Sequence, residues 1–154
     1  MAQRTLIIIK PDAVQRHAAG EIISRFERKG LKLVAARFCR LTEDLAGSLY
    51  AVHKGKPFFG GLVRYICSAP VLLTVWQADG VIEMARRLMG GTFGSEAAAG
   101  TIRGDLGCSR GYNLVHGSDS EESAAREINI FFKPDEIVDY ELSDSQWLYG
   151  SNDE

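Results

Sequence analysis

Cysteine is scarce in this sequence, and the cysteines present form no pairing pattern. Cys39, Cys67 and Cys108 are odd in number and widely spaced, with no C-x-x-C or cysteine–histidine arrangement typical of a metal site. A disulfide framework and a structural zinc site are therefore not indicated. Unpaired, reduced thiols are typical of the cytoplasm, so we predict a cytoplasmic location.

Long hydrophobic runs and a strong net charge are also missing. The apolar run at residues 6–9 ends at Lys10 and Pro11, which makes it too short for the apolar region of a signal peptide. No stretch approaches the roughly 20 apolar residues of a membrane-spanning helix. The formal net charge is −2, so bulk charge does not favour nucleic-acid binding. We expect neither a membrane nor a nucleic acid as partner.

Familiar phosphate and metal motifs are absent as well. There is no G-x-G-x-x-G and no G-x-x-x-x-G-K-[ST], so neither a Rossmann site nor a P-loop is supported. No H-E-x-x-H or carboxylate-rich cation loop occurs. Any metal would therefore arrive with a phosphate ligand, as Mg²⁺ usually does.

The 154 residues, 45% hydrophobic and 25% charged, are typical of one globular domain, which we place at residues 1–154. Apolar spacing predicts strands at residues 5–9, 31–41, 71–76 and 112–115. It also predicts helices ending at Gly30 and Gly90, one capped by Thr42 and one with Pro57 in its first turn. A long loop is predicted at residues 91–111, and a last helix carrying Ala124, Ile128, Phe131 and Phe132.

Two successive βαβ units in this order indicate the fold class. We predict an α/β, more narrowly α+β, sandwich of the ferredoxin-like type, in which helices cover a four-stranded antiparallel sheet. Residues from Lys133 onward lack periodicity but carry Trp147 and Tyr149. We read 133–154 as a C-terminal extension that packs on a neighbouring subunit.

His116 is the first candidate for chemistry. A lone histidine beside an apolar run is more often a satisfied structural residue. However, it lies where a strand meets a helix predicted to begin at about Ser118, and helix starts favour anions. Glu127 could accept a hydrogen bond from one imidazole nitrogen and leave the other free to attack. The alternative for Glu127 is a solvated helix residue paired with a base.

A second group of candidates is cationic. Arg103 lies between glycines in the long loop, near Thr92 and Thr101, and arginine binds phosphate oxygens bidentately. Lys10 follows the first strand, where a crevice would open, and Arg86 ends a helix face. Ordinary surface charge is the alternative for most arginines. Phe58 or its neighbour could stack on a flat ligand, form a lid or make a subunit contact.

Together, five stretches resemble the nucleoside diphosphate kinase family: "RTLIIIKPDAVQR", "EIISRFERKGLKLV", "YAVHKGKPFFGGLV", "GTIRGDLG" and "NLVHGSDSEESAAREI". The resemblance covers nearly the whole chain, and N-x-x-H-G-S-D is its most specific part. It implies transfer of the terminal phosphoryl group of a nucleoside triphosphate, typically ATP, to a nucleoside diphosphate. The implied route is a ping-pong reaction through a phosphohistidine, with broad base tolerance.

The resemblance also implies a role for each site residue. His116 would be the nucleophile, oriented by Glu127 and Ser118, with Lys10 and Tyr50 near the transferred phosphoryl group. Nucleotide binding would use Lys10, His53, Phe58, Leu62, Arg86, Thr92, Arg103 and Asn113. Among these, Lys10 and Asn113 would hold the ribose and Phe58 would stack on the base. Mg²⁺ would be carried by the nucleotide phosphates, with Asp119 near it through water.

Three departures from the family pattern stand out. Phe93-Gly94 replaces the usual Asn-Pro, Tyr112 replaces a common arginine, and His17-Ala18-Ala19 replaces a glycine-containing turn. We predict a more mobile loop at residues 93–99, which temperature factors at or below the chain average would contradict. The extension resembles that of hexameric members, so we favour a homo-hexamer over a tetramer or dimer.

Two other classes of function were weighed against this one. A binding module that had lost catalysis should lack His116, Lys10 or Arg103, and all three are present. A histidine phosphocarrier acting on proteins would not need the ribose and base contacts implied for Lys10, Asn113 and Phe58.

Overall fold

The computed structural model describes residues 2–153. Its strands are β1 (Ala2–Ile9), β2 (Lys32–Cys39), β3 (Val71–Asp79) and β4 (Val115–Gly117). Its helices are α1 (Pro11–Gln15), α2 (Ala19–Arg28), α3 (Glu43–Leu49), α4 (Phe59–Cys67), α5 (Val81–Met89), α6 (Ile102–Leu106) and α7 (Glu121–Phe131). Single 3₁₀ turns occur at Ala51–His53, Pro134–Glu136 and Ser145–Trp147.

The strands form one four-stranded sheet in the order β2-β3-β1-β4, and every pairing is antiparallel. This confirms the predicted α+β fold of the ferredoxin-like type. β1 is central and pairs with β3 along its whole length and with β4 through three residues, which set Ile8 opposite His116. The position of the candidate nucleophile is therefore fixed by sheet pairing.

Helices cover the sheet on both faces, which explains the continuous apolar run of β1. Successive strand residues point to opposite faces. Ile7 and Ile9 belong to one buried cluster, with Phe26 of α2 and Ala85 of α5. Leu6 and Ile8 belong to another, whose members include Leu49 of α3, Ile66 of α4 and Phe131 of α7. A strand of alternating polar and apolar residues could not bury apolar side chains on both faces of the sheet.

Helix caps agree with the sequence in one place and differ in another. The Thr42 hydroxyl accepts a hydrogen bond from the Leu45 N–H at 3.2 Å, so the predicted cap of α3 is confirmed. The cap of α7 is Ser120, which accepts from the Ser123 N–H at 3.0 Å, and the predicted start at Ser118 is wrong. Ser118 is buried and its hydroxyl is used inside the site.

Other boundaries also differ: β1 begins at Ala2, β2 spans Lys32–Cys39 and β3 extends to Asp79, in place of the predicted 5–9, 31–41 and 71–76. The loop at residues 91–111 contains α6, a five-residue helix too short to show periodicity. α4 begins at Phe59 and not in the turn at Pro57. β4 begins at Val115, later than the predicted 112–115 strand, because Leu114 has a φ of +72° that interrupts extended backbone. His116 consequently lies within β4, whereas the sequence had suggested a strand-to-helix junction.

The C-terminal extension contacts its own chain beside β2. The Val138 N–H donates to the Val34 carbonyl at 2.8 Å, and the Tyr140 hydroxyl donates to the Leu33 carbonyl at 2.6 Å. Leu148 packs over Gly30, whereas Trp147 is 82% exposed. Packing of the extension on a neighbouring subunit stays a prediction. No helix within residues 2–153 has the length and apolarity to cross a membrane.

The turn that departs from the family pattern carries local strain. His17 has a φ of +59°, which costs a residue with a Cβ about 1 kcal/mol or more. We expect His17→Gly to raise the free energy of unfolding by about 0.5–1 kcal/mol and the melting temperature by about 2–4 °C. Gln15→Gly in α1 is the matched control and should lower stability by about 1 kcal/mol. A drop in melting temperature for both variants would contradict the strain argument.

Candidate active site

A cleft of about 450 Å³ opens beside the β1–β4 pair. Its lining brings together most of the residues predicted from sequence: Lys10, Tyr50, His53, Leu62, Arg86, Thr92, Arg103, Asn113, His116, Asp119 and Glu127. They come from the end of β1, from β4, from helices α4 to α7 and from the turns and loops between these elements. A more open hollow of about 530 Å³ near Gln3 and Glu121 contains none of them. The smaller cleft is therefore the candidate site.

Phe58 and Ser118 lie outside that lining, for different reasons. Phe58 is 51% exposed and its ring lies 5.2 Å from that of His53, so it stands at the mouth of the cleft. Ser118 lies beneath the site, where its hydroxyl donates to Glu127 at 3.0 Å and accepts from the Leu6 N–H at 3.2 Å. Phe58 can contact a ligand directly, whereas Ser118 can act only through Glu127.

The His116 ring is held by a buried carboxylate. Its Nε2 lies 2.7 Å from Glu127 Oε1, and the Glu127 residue is only 5% exposed. Because an ionised carboxylate only accepts hydrogen bonds, Nε2 carries the proton. The neutral ring then has its lone pair on Nδ1. The predicted orientation of His116 by Glu127 and Ser118 thus has the geometry it needs.

Lys10, Arg86 and Arg103 lie in the cleft together, and the pKa values of two of them are perturbed. Burial and the nearby charge of Arg103 lower the pKa of Lys10 to about 8, and Asp12 opposes this only partly. Burial and the charge of Arg86 lower the pKa of Arg103 to about 10. Like charges gathered in a cleft favour the binding of an anion.

Arg103 also builds the cleft wall. Its guanidinium donates to the Asn113 carbonyl at 3.1 Å, to the Gly90 carbonyl at 3.1 Å and to the Val115 carbonyl at 2.7 Å. These bonds tie α6 to the end of α5 and to both sides of Leu114. The sequence placed Arg103 in a loop, and the structure makes it a buried residue of α6.

Both polar atoms of the Asn113 side-chain amide are hydrogen-bonded. Oδ1 accepts from Lys10 Nζ at 2.8 Å, and Nδ2 donates to the Thr92 carbonyl at 3.0 Å. Lys10, Asn113 and Thr92 therefore form one connected edge of the cleft. The expected proximity of Lys10 and Asn113 is seen directly.

Aromatic rings also line the cleft. Tyr50 meets His116 edge-to-face, with ring centroids 6.4 Å apart. Burial raises the pKa of Tyr50, and the Glu127 charge adds to the effect, so the hydroxyl remains a proton donor. Within the described chain, neither the Tyr50 hydroxyl nor His53 Nδ1 has a hydrogen-bond partner. Buried polar atoms of this kind are available to a ligand.

Metal binding by side chains alone has no support among residues 2–153, where no group of three His, Cys, Asp or Glu side chains could hold an ion. Asp119 nevertheless lines the cleft. A hydrogen bond from Ser123, together with the charge of Arg86, holds the pKa of the Asp119 carboxyl below its ordinary value. Asp119 therefore presents an ionised carboxylate at neutral pH.

Sequence reasoning missed some residues that shape the site. Arg126 lines the cleft and donates to the Ser48 and Leu49 carbonyls at 3.0 and 3.3 Å, which fixes the end of α3 next to Tyr50. Its place beside Glu127 in the sequence was the available signal. Asp12 accepts from the Leu114 N–H at 3.2 Å, and only the folded loop could reveal that contact.

Known proteins give a consistent comparison. A sequence model described as nucleoside diphosphate kinase matches residues 3–137. A nucleoside diphosphate kinase of Bacillus cereus is 53% identical over 147 residues, 96% of this chain and 99% of that protein. One from Methanosphaera stadtmanae is 52% identical over 149 residues, 97% of this chain and 98% of that protein.

Solved structures agree in fold. A halophilic nucleoside diphosphate kinase from Halobacterium salinarum, solved in complex with CDP, matches with a TM-score of 0.94 and 47% identity, covering 97% of this chain and 100% of that chain. A nucleoside diphosphate kinase family protein from Babesia bovis gives a TM-score of 0.92 and 47% identity, over 96% of this chain and 99% of that chain.

Fold, cleft and relatives define a phosphotransferase that acts on nucleotides. The chain belongs to the nucleoside diphosphate kinase family. Its reaction is the transfer of a phosphoryl group from a nucleoside triphosphate to a nucleoside diphosphate, and the ping-pong route through a phosphohistidine is general for the family. Enzymes of the family generally use a divalent metal. The family predicted from sequence is confirmed.

The Glu127 contact predicts a defined loss on substitution. Glu127→Gln should lower kcat about ten- to a hundredfold, because an uncharged amide neither fixes the tautomer nor balances positive charge on the ring. Stopped-flow measurement of phosphoenzyme formation checks this. Glu122→Gln, an exposed carboxyl on the same helix, should leave the rate unchanged. Equal rates for Glu127→Gln and the unmodified enzyme would refute the orienting role.

The lowered pKa of Lys10 predicts a pH dependence. Because the pKa is about 8, the ammonium loses its proton as pH rises through 8, well before an ordinary lysine would. Affinity for a nucleoside diphosphate should fall at least about threefold between pH 7.5 and 9.5 at constant ionic strength. Calorimetric titration measures it. Lys10→Met should bind more weakly and lose this step, whereas a flat profile for the unmodified enzyme would exclude the assignment.

Proposed function

We propose that His116 is the phosphorylated residue of this enzyme and that its Nδ1 is the attacking atom. The observation that carries the proposal is the 2.7 Å contact between His116 Nε2 and the buried Glu127 carboxylate, inside a cleft that holds Lys10, Arg86 and Arg103. With Nε2 protonated, Nδ1 supplies the lone pair. No other described histidine has a carboxylate partner among the ion pairs of residues 2–153.

The reaction has two mirrored halves. The Nδ1 lone pair forms a bond to the terminal phosphorus of the triphosphate, while the bond to the bridging oxygen breaks and its electrons stay on the departing diphosphate. A terminal oxygen of a second nucleoside diphosphate then attacks the phosphohistidine and restores the lone pair to Nδ1. Positioning and charge neutralisation supply most of the rate in such transfers.

Phosphate binding falls to the cationic side of the cleft. We assign His53, Arg86, Thr92 and Arg103 to the phosphates, with Lys10 and Tyr50 next to the transferred group. The buried Tyr50 hydroxyl and His53 Nδ1, which lack protein partners in the described chain, supply hydrogen bonds to phosphate oxygens. The bonds of Arg103 to three carbonyls fix its position, so its charge acts on the phosphates without rearrangement.

The residues at the rim and mouth of the cleft bind the nucleoside. We assign Lys10 and Asn113 to the ribose hydroxyls, since their 2.8 Å contact forms one rim of the cleft. Phe58 stacks on the base with Leu62 beside it, and half of the Phe58 side chain is open to solvent at the mouth. Stacking reads no base edge, so broad base tolerance follows.

Mg²⁺ is the proposed divalent metal. The nucleotide phosphates would carry it, and Asp119 is the one acidic group on the cleft lining besides Glu127, so its ionised carboxylate suits a water-mediated contact. The ion would neutralise charge on the phosphates. Direct ligation by the protein is not part of the proposal.

The exposed surface of the chain bears on its oligomeric state. We propose a homo-hexamer, with a tetramer or dimer as alternatives, in which part of the 133–154 extension packs on a neighbouring subunit. The exposed Trp147 ring supports this, since aromatic side chains are enriched in subunit interfaces. Light scattering separates the three masses.

Three unpaired cysteines support a cytoplasmic location.

Labelling tests the assignment of His116. Incubation with γ-labelled ATP and Mg²⁺ should give an acid-labile, base-stable label that GDP or CDP discharges. His116→Ala should take up no label, whereas His17→Ala, an exposed histidine away from the cleft, should label normally. A fully labelled His116→Ala protein would overturn the assignment.

A further inference from the structure

Tyr112 is exposed, yet it has a close ring partner. The residue is 59% exposed, and its ring stacks on that of Tyr65 in α4 with centroids 4.8 Å apart and planes inclined by 20°. Offset stacking at this separation is attractive. The contact joins the loop before β4 to α4, two segments far apart in sequence.

Tyr65 carries this contact to the backbone of the site. Its hydroxyl donates to Asp12 Oδ1, and Asp12 Oδ2 accepts from the Leu114 N–H at 3.2 Å. Leu114 is the residue of positive φ that sets where β4 begins. The position of the Tyr65 ring therefore bears on the conformation of the segment between Asn113 and Val115.

The same ring borders the ribose edge of the cleft. Lys10 Nζ lies 5.7 Å from the Tyr65 ring centroid, within the range of a cation–π interaction. That ammonium donates to Asn113 Oδ1 at 2.8 Å, and the Lys10 N–H donates to the Leu114 carbonyl, also at 2.8 Å. Tyr65 thus touches one member of the Lys10–Asn113 pair, and Tyr112 is the chain neighbour of the other.

We propose that Tyr112 is a positioning residue for nucleotide binding: by stacking on Tyr65 it holds the Asp12–Leu114 bridge and the Lys10–Asn113 pair in their binding geometry. This rests on the proposed function, which places Lys10 and Asn113 at the ribose. The main effect of Tyr112 falls on binding, because the reacting His116 ring is held separately by Glu127 and by pairing with Ile8, although Lys10 also lies next to the transferred group.

Steady-state kinetics and a binding titration test the proposal. An aromatic pair of this kind shifts an equilibrium by about two- to tenfold. Tyr112→Ala should therefore raise both KM and the Kd for GDP by about that factor and leave kcat within about twofold. Tyr112→Phe keeps the stacked ring and should match the unmodified enzyme. An unchanged KM for Tyr112→Ala, or a fall in kcat alone, overturns the proposal.

Coupling to Tyr65 gives a second readout that simple destabilisation would not produce. If Tyr112 acts through Tyr65, then Tyr112→Ala should change the Kd for GDP by less than about 1.5-fold in a Tyr65→Leu background. Additive effects of the two substitutions overturn the proposal. Tyr112→Arg introduces the residue common in the family, and a guanidinium also stacks on an aromatic face, so near-normal KM is expected.

These outcomes are separable from failure of the proposed function. Absence of phosphohistidine in the unmodified enzyme would remove the role of His116 whatever Tyr112 does. Normal labelling of Tyr112→Ala with a raised Kd for GDP supports the inference, and normal labelling with an unchanged Kd refutes it alone.

Discussion

Burial of the Glu127 carboxylate is the constraint on which the rest of the site depends. A charged group that is 5% exposed is costly unless hydrogen bonds and opposite charge compensate it. Here the His116 ring and the Ser118 hydroxyl bond to its Oε1, and Arg126 lies 3.8 Å from Oε2. These contacts require β4 to pair in register with β1 and α7 to lie across the sheet. The contacts that stabilise the buried Glu127 carboxylate therefore also orient the His116 ring and depend on the pairing of β4 with β1.

The cationic side of the cleft, unlike the compensated Glu127 carboxylate, brings like charges close together. Burial and the charge of Arg103 lower the pKa of Lys10, and burial and the charge of Arg86 lower the pKa of Arg103. The protein offsets this by bonding Arg103 to three carbonyls and Lys10 to the Asn113 amide. An incoming phosphate relieves the remaining repulsion. A site organised in this way binds anions with little rearrangement, which is what phosphoryl transfer needs.

The sequence predicted those parts of the structure that follow from local pattern or from the family motif. The unbroken apolar run of β1, the Thr42 cap and the glycines after α2 and α5 are local signals, and each was read correctly. The family resemblance, which covers five stretches of the chain, implied that the cleft residues form one site and assigned their roles by likeness. β4 begins later than predicted because Leu114 has a positive φ, and the Leu114 N–H donates to Asp12, which lies 102 residues away in the chain. α6 was missed because five residues cannot show a helical period.

The departures from the family pattern show what local reading cannot supply. Gly94 packs so closely on Gly107 that a Cβ would lie 2.7 Å from its carbonyl carbon, and the neighbouring Phe93 ring lies 4.0 Å beneath the Arg110 guanidinium. Arg110 in turn pairs with Glu96 at 2.8 Å. In this chain, therefore, a stacked cation and a close backbone contact hold the loop that contains Phe93-Gly94. Its predicted greater mobility stays a prediction. Both this cluster and the Tyr112–Tyr65 pair use aromatic stacking where the family pattern differs, and both leave the residues of the cleft unchanged. The charged groups of the site are held by the sheet, by the bonds of Arg103 and by the Glu127 contact, and in the proposed coupling the loop residue Tyr112 acts on the Lys10–Asn113 edge through Tyr65.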